Sequence, residues 1–358
     1  MKKVIILISI LIIIIISIII GFWIWYTNSL KPVNGREIAQ FFTISSGQSS
    51  NSIATELVKD NLIKSKFSFK LYLKLNNITN LQAATYSLSP SMSTNEIIEK
   101  FEKGQNVDES ISITFMEGIN MRKVAQIISD RTNNTYDNVL SLLKDEAYLD
   151  EIIAKYWFIT KDIKDDEIYY SLEGYLQPNT YIFENKDISI KTIFNKMLDQ
   201  TEIVLNKYKE KIEKSDLNVH EILTLSSIVD IESSGTSYYK DIASVFYNRL
   251  NSKMMLGSDV TTYYGAKIDM GGGRDLTVSE LAQKNAYNTR TTLTTGKLLP
   301  VSPVAAPSEK SIEATINPSS TNHLYFVADK NGEVFFSKTY DGHLQNVNSI
   351  KSSGNWIF

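Results

Sequence analysis

The sequence predicts an α+β protein carried behind an N-terminal transmembrane helix. Three observations lead there. An apolar run without a single charge opens the chain. Helical and strand patterns then mix without the regular alternation that builds a parallel βαβ sheet. A β-hairpin signal closes it.

The opening run comes first. In "MKKVIILISILIIIIISIIIGFWIWYTNS" no charged residue occurs from Val4 to Tyr26. As a helix it would extend about 35 Å, enough for a bilayer core of about 30 Å. It is longer than the apolar stretch of a signal peptide, and no small-x-small cleavage site follows. Trp23, Trp25 and Tyr26 would form an interfacial aromatic belt. Lys2 and Lys3 precede the run, and Lys31 and Arg36 follow it, so the charge bias predicts a cytoplasmic N-terminus with the rest of the chain outside. Residues 1–26 are therefore read as tip and anchor, and 27–36 as a polar linker.

After the linker, "FFTISSGQSSNSIATEL" reads as strand, glycine turn, helix, and "SITFMEGINMRKVAQII" repeats that pattern. Gly47 precedes Ile53 by six residues and Gly118 precedes Val124 by six, a period of 118 − 47 = 71. The spacing predicts two related β-α units, unless so short a match is chance. Between them "ATYSLS" reads as a strand, and "STNEIIEKF" as a helix opened by a capping box from Ser93 to Glu96. The organisation that follows is a small module at 37–110 and a larger domain at 111–358, with the second β-α unit at 111–131.

In the larger domain, Thr135 to Lys155 is helical in pattern. "SLEGYLQPNTYIF" breaks it at Gly174 and Pro178. Ile188 to Lys214 reads as one long amphipathic helix, followed by a helix from about Val219 and another over "KDIASVFYNRL". Residues 257–310 are rich in Gly, Thr and Pro and read as loop. "HLYFVADKNGEVFFSK" is the hairpin, with Asn331-Gly332 at its turn.

Composition excludes several functions. A net charge of −3 with no long basic block argues against nucleic acid as a partner. With no cysteine, disulfides, thiolate metal sites and a cysteine nucleophile are out. "HEILT" from His220 lacks the second histidine of a zinc-protease motif, and neither a phosphate-binding loop nor a serine-hydrolase elbow is present. No metal and no cofactor is expected.

What remains is a pair of acids in "SSIVDIESSG". On a helical wheel Asp230 and Glu232 lie about 160° apart. Glu232 falls in the aliphatic stripe of Leu225, Ile228 and Val229, and Asp230 on a polar flank. Desolvation raises a carboxyl pKa, so the wheel predicts Glu232 as a protonated general acid at the lip of a cleft, where Ser233-Ser234-Gly235 ends the helix. The competing reading is a solvated glutamate at a helix end.

These residues, with "LEGYLQPNTY", "ASVFYNRL", "LGSDVTTYYG", "YNT", "PVSPVAAPS", "ATINPSSTNHLYFVAD" and "FSKTYDGH" in order, resemble the MltG-type (YceG-like) endolytic murein transglycosylases. The resemblance runs from the anchor nearly to the C-terminus. It implies a LysM-like module at 37–110 and a membrane-anchored lyase of the cell wall, its catalytic domain outside the cytoplasm. It implies cleavage of the MurNAc-GlcNAc β-1,4 bond of nascent peptidoglycan strands, leaving a 1,6-anhydroMurNAc end, with cell-wall synthases as partners. Glu232 matches the family's catalytic acid, and Asp230 stands where the family usually has a first glutamate. Gln177, Asn179, Val260 and Ala306 also depart from the family pattern.

Other polar residues have two readings each. Glu173 either holds the sugar or fastens a turn. Ser258 and Asp259 either line the groove or cap a helix. Tyr287, Asn288 and Thr289 either bind acetamido groups or form a turn, and Tyr263 and Tyr264 either stack on sugar or belong to the core. Two further functions stay open: a peptidoglycan-binding scaffold that positions synthases without turnover, and a hydrolase with Asp259 or Glu173 as partner carboxylate.

Overall fold

The computed structural model describes residues 2–35, 39–104, 110–270 and 274–356, with the side chains of the first helix described from Ile13 onward. Arg36, the side chains of Lys2 and Lys3, and the glycines at 271–273 lie outside the described residues. The chain divides into two compact units, Met1–Ser112 with Ile182–Lys186, and Ile113–Tyr181 with Asp187–Phe358.

In the first unit, α1 (Lys2–Ser29) carries the apolar run as one helix. Ile13, Ile18, Trp23 and Ile24 are each more than half exposed, so this helix does not bury its apolar surface within the unit. Among the described residues no helix is long and apolar enough to cross a membrane. Its base is tied down: Tyr26 is buried, and the Ser29 hydroxyl donates to Ser68.

The rest of this unit is β1 (Gln40–Thr43), α2 (Ser50–Lys59), α3 (Lys66–Leu75), β2 (Thr85–Leu88) and α4 (Thr94–Lys103). Strands β1 and β2 pair antiparallel, Phe42 opposite Tyr86. Each helix opens at a serine: Ser49, Ser65, and Ser93 with its reciprocal Glu96 box, supplying acceptors to backbone N–H groups that the first turn leaves unpaired. The core packs Phe42, Ile53, Leu57, Phe69, Tyr86, Ile97 and Phe101.

The chain from Ile111 onward, most of it in the second unit, begins by repeating this plan. β3 (Ile111–Phe115) pairs with β4 (Asn179–Phe183), and between them lie α5 (Met121–Arg131), α6 (Tyr136–Leu142), α7 (Glu146–Lys155) and a 3-10 turn, Lys161–Lys164. The likeness extends to single atoms. Gly47 and Gly118 both take the left-handed conformation, at φ +77 and +72. The next helix is capped by Ser49 in one copy and Asn120 in the other. Thr43 and Thr85 hydroxyls meet at 3.0 Å across β1 and β2, and Thr114 and Thr180 at 2.9 Å across β3 and β4. Tyr86 donates to Gln82 O at 2.7 Å, Tyr181 to Gln177 O at 2.6 Å. After the second strand each copy enters a serine-capped helix, α4 or α8 (Ile190–Asn206). The second copy is therefore larger than the β-α unit expected at 111–131.

Three expected elements differ. Ile188–Lys214 is not one helix: α8 ends at Asn206, and α9 (Lys209–Ile212) is a separate short turn. Thr135–Lys155 divides into α6 and α7, because Asp145 caps a new helix. The Thr-rich stretch after residue 257 is not all loop. It holds α12 (Asp259–Gly265) and α13 (Val278–Leu281). The Thr261 and Thr262 hydroxyls bond back to Ser258 O, and burial outweighs the weak helix propensity of β-branched residues.

The remaining elements are α10 (Val219–Glu232), α11 (Tyr239–Asn251), α14 (Glu309–Ile316), the hairpin β5 (Tyr325–Ala328) and β6 (Val334–Ser337), and α15 (Tyr340–Ser352). α10 opens with an Asn218–Glu221 capping box and runs through the core, buried on nearly every side from Val219 to Asp230. Leu225, Ile228 and Val229 pack there with Phe246, Val260 and Tyr287. Gly332, at φ +81, turns the hairpin so close to the chain after α10 that a Cβ would lie 2.6 Å from Gly235 O.

Candidate active site

Because α10 is buried on nearly every side, an amphipathic wheel is the wrong guide to its two acids. Asp230 is the more enclosed, 6% exposed, while Glu232 at the helix end is half-buried. Asp230 does have a polar setting, but an internal one. Its Oδ1 accepts from Ser308 N at 3.2 Å and from the Ser308 hydroxyl. Ser308 caps α14, so Asp230 fastens one core helix to the start of another.

Glu232 faces a different partner. The Ser258 hydroxyl donates to Glu232 Oε1 at 2.6 Å. Ser258 occupies the cap position of α12, yet its side chain makes no capping bond there. Burial raises the Glu232 carboxyl above the ordinary glutamate range. The Ser258 hydrogen bond opposes that rise, the charge of Asp259 adds to it, and Arg249 and Arg290 oppose it. Burial thus favours the protonated carboxyl, while the Ser258 donor and, at longer range, the charges of Arg249 and Arg290 favour its anion.

Ser258 is positioned by the "YNT" segment. Thr289 Oγ1 accepts from Ser258 N at 3.0 Å and meets Thr261 Oγ1 at 2.7 Å. Gly257 N donates to Thr289 O. Asn288 Oδ1 accepts from the Thr262 hydroxyl at 2.8 Å, and its amide donates to Leu281 O and Gln283 O. Tyr287 accepts from Tyr169 N and meets Ser302. All three are buried, with their polar groups occupied by protein partners.

Glu173 is enclosed elsewhere. Both its oxygens accept from Met121 N at 3.0 Å, at the first turn of α5, and Tyr264 donates to it at 2.9 Å. Burial pushes its carboxyl up to about 7 against those donors and nearby Arg122. Among the described residues no hydrogen bond joins Glu173 to Glu232. Asp259 is exposed and ion-paired with Arg290. Tyr264 is core, and Tyr263 is half-exposed.

Arg249 and Arg290 are not singled out by the sequence reading, although Arg249 lies inside "ASVFYNRL" and Arg290 directly follows "YNT". A cation beside the segments that surround an acid was the available signal. Arg249 donates to Leu324 O at 2.6 Å and to Leu256 O, and lies 5.2 Å from the Tyr325 ring centre. It thus ties α11 to the hairpin and to the chain leading into Ser258. His220 is structural: Nε2 donates to Val301 O, which leaves Nδ1 to accept from the Tyr175 hydroxyl. Among the described residues no cluster of metal-binding side chains occurs.

A family model described as the YceG-like family matches residues 42–349. The chain belongs to the YceG-like family. Similar proteins include an endolytic murein transglycosylase of Bacillus subtilis strain 168, 34% identical over 343 residues, 94% of this chain and 92% of that protein. A protein of the same name from Streptococcus pneumoniae D39 is 32% identical over 335 residues, 89% of this chain and 60% of the streptococcal one. Among solved structures, a YceG-like protein from Listeria monocytogenes matches with a TM-score of 0.61 and 32% identity, covering 86% of this chain and 99% of that one. The membership agrees with the motifs above, and three of the residues that depart from the family pattern have visible roles here. Val260 packs in the core, Ala306 exchanges backbone hydrogen bonds with Gly118 and Ile119, and Gln177 meets Thr201 and Tyr181 through its backbone.

Proposed function

We propose that this chain is a lytic transglycosylase of peptidoglycan in which Glu232 serves as both general acid and general base. The single observation that carries this reading is the half-buried Glu232 carboxyl, raised above its ordinary range and held by Ser258, with no second carboxyl hydrogen-bonded to it among the described residues. Protonated Glu232 gives its proton to the oxygen bridging MurNAc and GlcNAc as the C1–O bond breaks. The carboxylate so formed, supported by Ser258, Arg249 and Arg290, takes the proton of the muramyl C6 hydroxyl as that oxygen bonds to C1. A 1,6-anhydro end results and Glu232 regains its proton, with no water consumed. An intramolecular nucleophile has a high effective concentration, and acid-base work of this kind contributes about 100- to 10,000-fold.

Asp230 is spent on Ser308 and Glu173 on Met121 and Tyr264, and we read Tyr287, Asn288 and Thr289 as the scaffold of Ser258. The names of the relatives support a peptidoglycan substrate. We further propose that α1 anchors the chain in the cell membrane with its N-terminus cytoplasmic. Its exposed isoleucines and tryptophans favour apolar surroundings.

A second reading has one observation behind it. Asp259 acts electrostatically on Glu232, and a hydrolase needs a second carboxylate. Mass spectra of glycan digested by the wild type and Glu232→Gln separate the cases. Anhydro ends that vanish in the variant support the transglycosylase. Reducing ends support the hydrolase, and no cleavage by the wild type supports a scaffold.

A further inference from the structure

Beside the last turn of α10 lies a cavity of about 540 Å³. Its floor is aliphatic: Ile127, Ile231, Val260, Ile268 and Val304, with the Tyr263 ring as one wall. Polar groups are few and stand together: Asn120, Lys123 and Asp269. Met116 and Met270 also line it and are 67% and 54% exposed.

The cavity is lined by neighbours, in the chain, of the proposed catalytic pair. Ile231 precedes Glu232, and Val260 follows Ser258 by two residues. The opposite wall comes from the Gly118 turn of the second β-α copy. Gly118 N donates to Ala306 O, and Ala306 N to Ile119 O, both at 2.8 Å. A Cβ on Gly118 would lie only 3.7 Å from Asp230 Oδ2 and 3.8 Å from Ile231, so this wall stands against the catalytic helix. It is preformed, which lowers the cost of binding.

The lining selects among the parts of a peptidoglycan strand. A pyranose ring would bring several hydroxyls to an aliphatic floor that cannot pair them, which is costly. A peptide of alanines and carboxylates fits better: methyl groups on the floor, an amide at Asn120, a carboxylate at Lys123. The charge balance agrees. Asp269 is bonded by Arg122 and Asn120, whereas the exposed Lys123 side chain acts on it only through its charge and makes no salt bridge among the described residues. The exposed methionines offer adaptable apolar surface at the mouth.

We infer that this cavity binds the stem peptide of the muramyl residue being cleaved, so that Lys123 and the Gly118 turn make the enzyme selective for peptide-bearing glycan. The inference rests on the reading of Glu232 as the catalytic acid for peptidoglycan. Ser258 to Tyr263 is about 7.5 Å of helix rise along α12, a length that two or three extended peptide residues cover at about 3.3 Å each.

The test uses full-length protein in detergent and two substrates: uncrosslinked strands with stem peptides, and the same strands stripped by an amidase. The ratio of kcat/KM between them is measured for the wild type, Lys123→Glu and Met116→Asp. The expected ratio is about tenfold or more in the wild type, the size of one charge-assisted contact. It should fall toward one in Lys123→Glu, chiefly through KM. A wild-type ratio of one, or an unchanged ratio in both variants, overturns the inference. If the wild type cleaves neither substrate, the catalytic reading fails instead. Calorimetry of the free stem pentapeptide then decides this one: binding that Lys123→Glu weakens supports it, and no binding overturns it.

Discussion

Ser258 donates its hydroxyl to Glu232 Oε1 across 2.6 Å, joining the cap of a two-turn helix to the last residue of a buried one. The bond favours the anion of Glu232. It therefore opposes the burial that keeps the proton on, and it supports the carboxylate when the proton has left.

Removing it should show in a pH profile. Ser258→Ala loses one hydrogen bond to a charged group, about 1.5 kcal/mol, or roughly tenfold in kcat. The bond lowers the Glu232 pKa, so its loss raises that pKa further. The pH at which activity declines on the alkaline side should move up. Turnover on glycan from pH 5 to 9 checks both effects; a lower rate with an unmoved profile would assign Ser258 a role in packing alone.

Arg249 should act in the same direction, with a cost in stability. Its charge lowers the Glu232 pKa. Arg249→Met keeps much of the volume but removes the cation and leaves Leu324 O and Leu256 O without their donor. Loss of a buried partner costs about 1–3 kcal/mol. We expect a lower melting temperature together with an alkaline limb shifted to higher pH. Arg249→Lys should restore part of the second effect, because the charge returns while the forked geometry does not.

Asp230 should behave as a structural acid. Asp230→Ala leaves the Ser308 amide and hydroxyl without their acceptor at the start of α14. The expected cost is about 1–3 kcal/mol, a fall of roughly 2–4 °C per kcal/mol in a domain of this size. Asp230→Asn retains an acceptor oxygen and should lose less. Thermal melts of both variants measure the difference. Equal melts, with activity abolished in each, would place Asp230 among the catalytic groups.

Glu173 should make stability depend on pH. Burial holds its carboxyl at about 7, above the value of an unfolded chain. The folded state therefore binds this proton more tightly. The contribution is complete below the unfolded pKa of about 4.3 and is lost as pH rises through about 7. Glu173→Gln keeps an acceptor but cannot ionise. The difference between wild-type and variant unfolding free energies should shift in favour of the variant between pH 5 and 8. Urea titrations at both ends of that range test it, and a constant difference would refute it.

Local chemistry made much of the architecture legible. Helix starts were readable where Ser93 faces Glu96, and the terminal hairpin where Asn331-Gly332 breaks two apolar runs. The 71-residue period left a related second unit and a chance match equally open, and the Thr114–Thr180 pair and the Tyr181–Gln177 bond, which parallel those of the first module, appear only in three dimensions. The helix breaks at Asn206 and before Asp145 were missed because charged amphipathic patterns continue through both.

The sequence alone determined the apolar N-terminal helix, the Ser93–Glu96 capping box, the hairpin and the candidacy of Glu232, each of which rests on neighbours within a few residues. Tertiary structure decided which partner each acid meets. Glu232 meets a serine 26 positions on, Asp230 meets one 78 positions on, and Glu173 meets an amide 52 positions back. A helix buried on nearly every side carries no polar face from which such partners can be read. Their choice is made by the packing of distant segments, and periodicity along one helix holds no record of it.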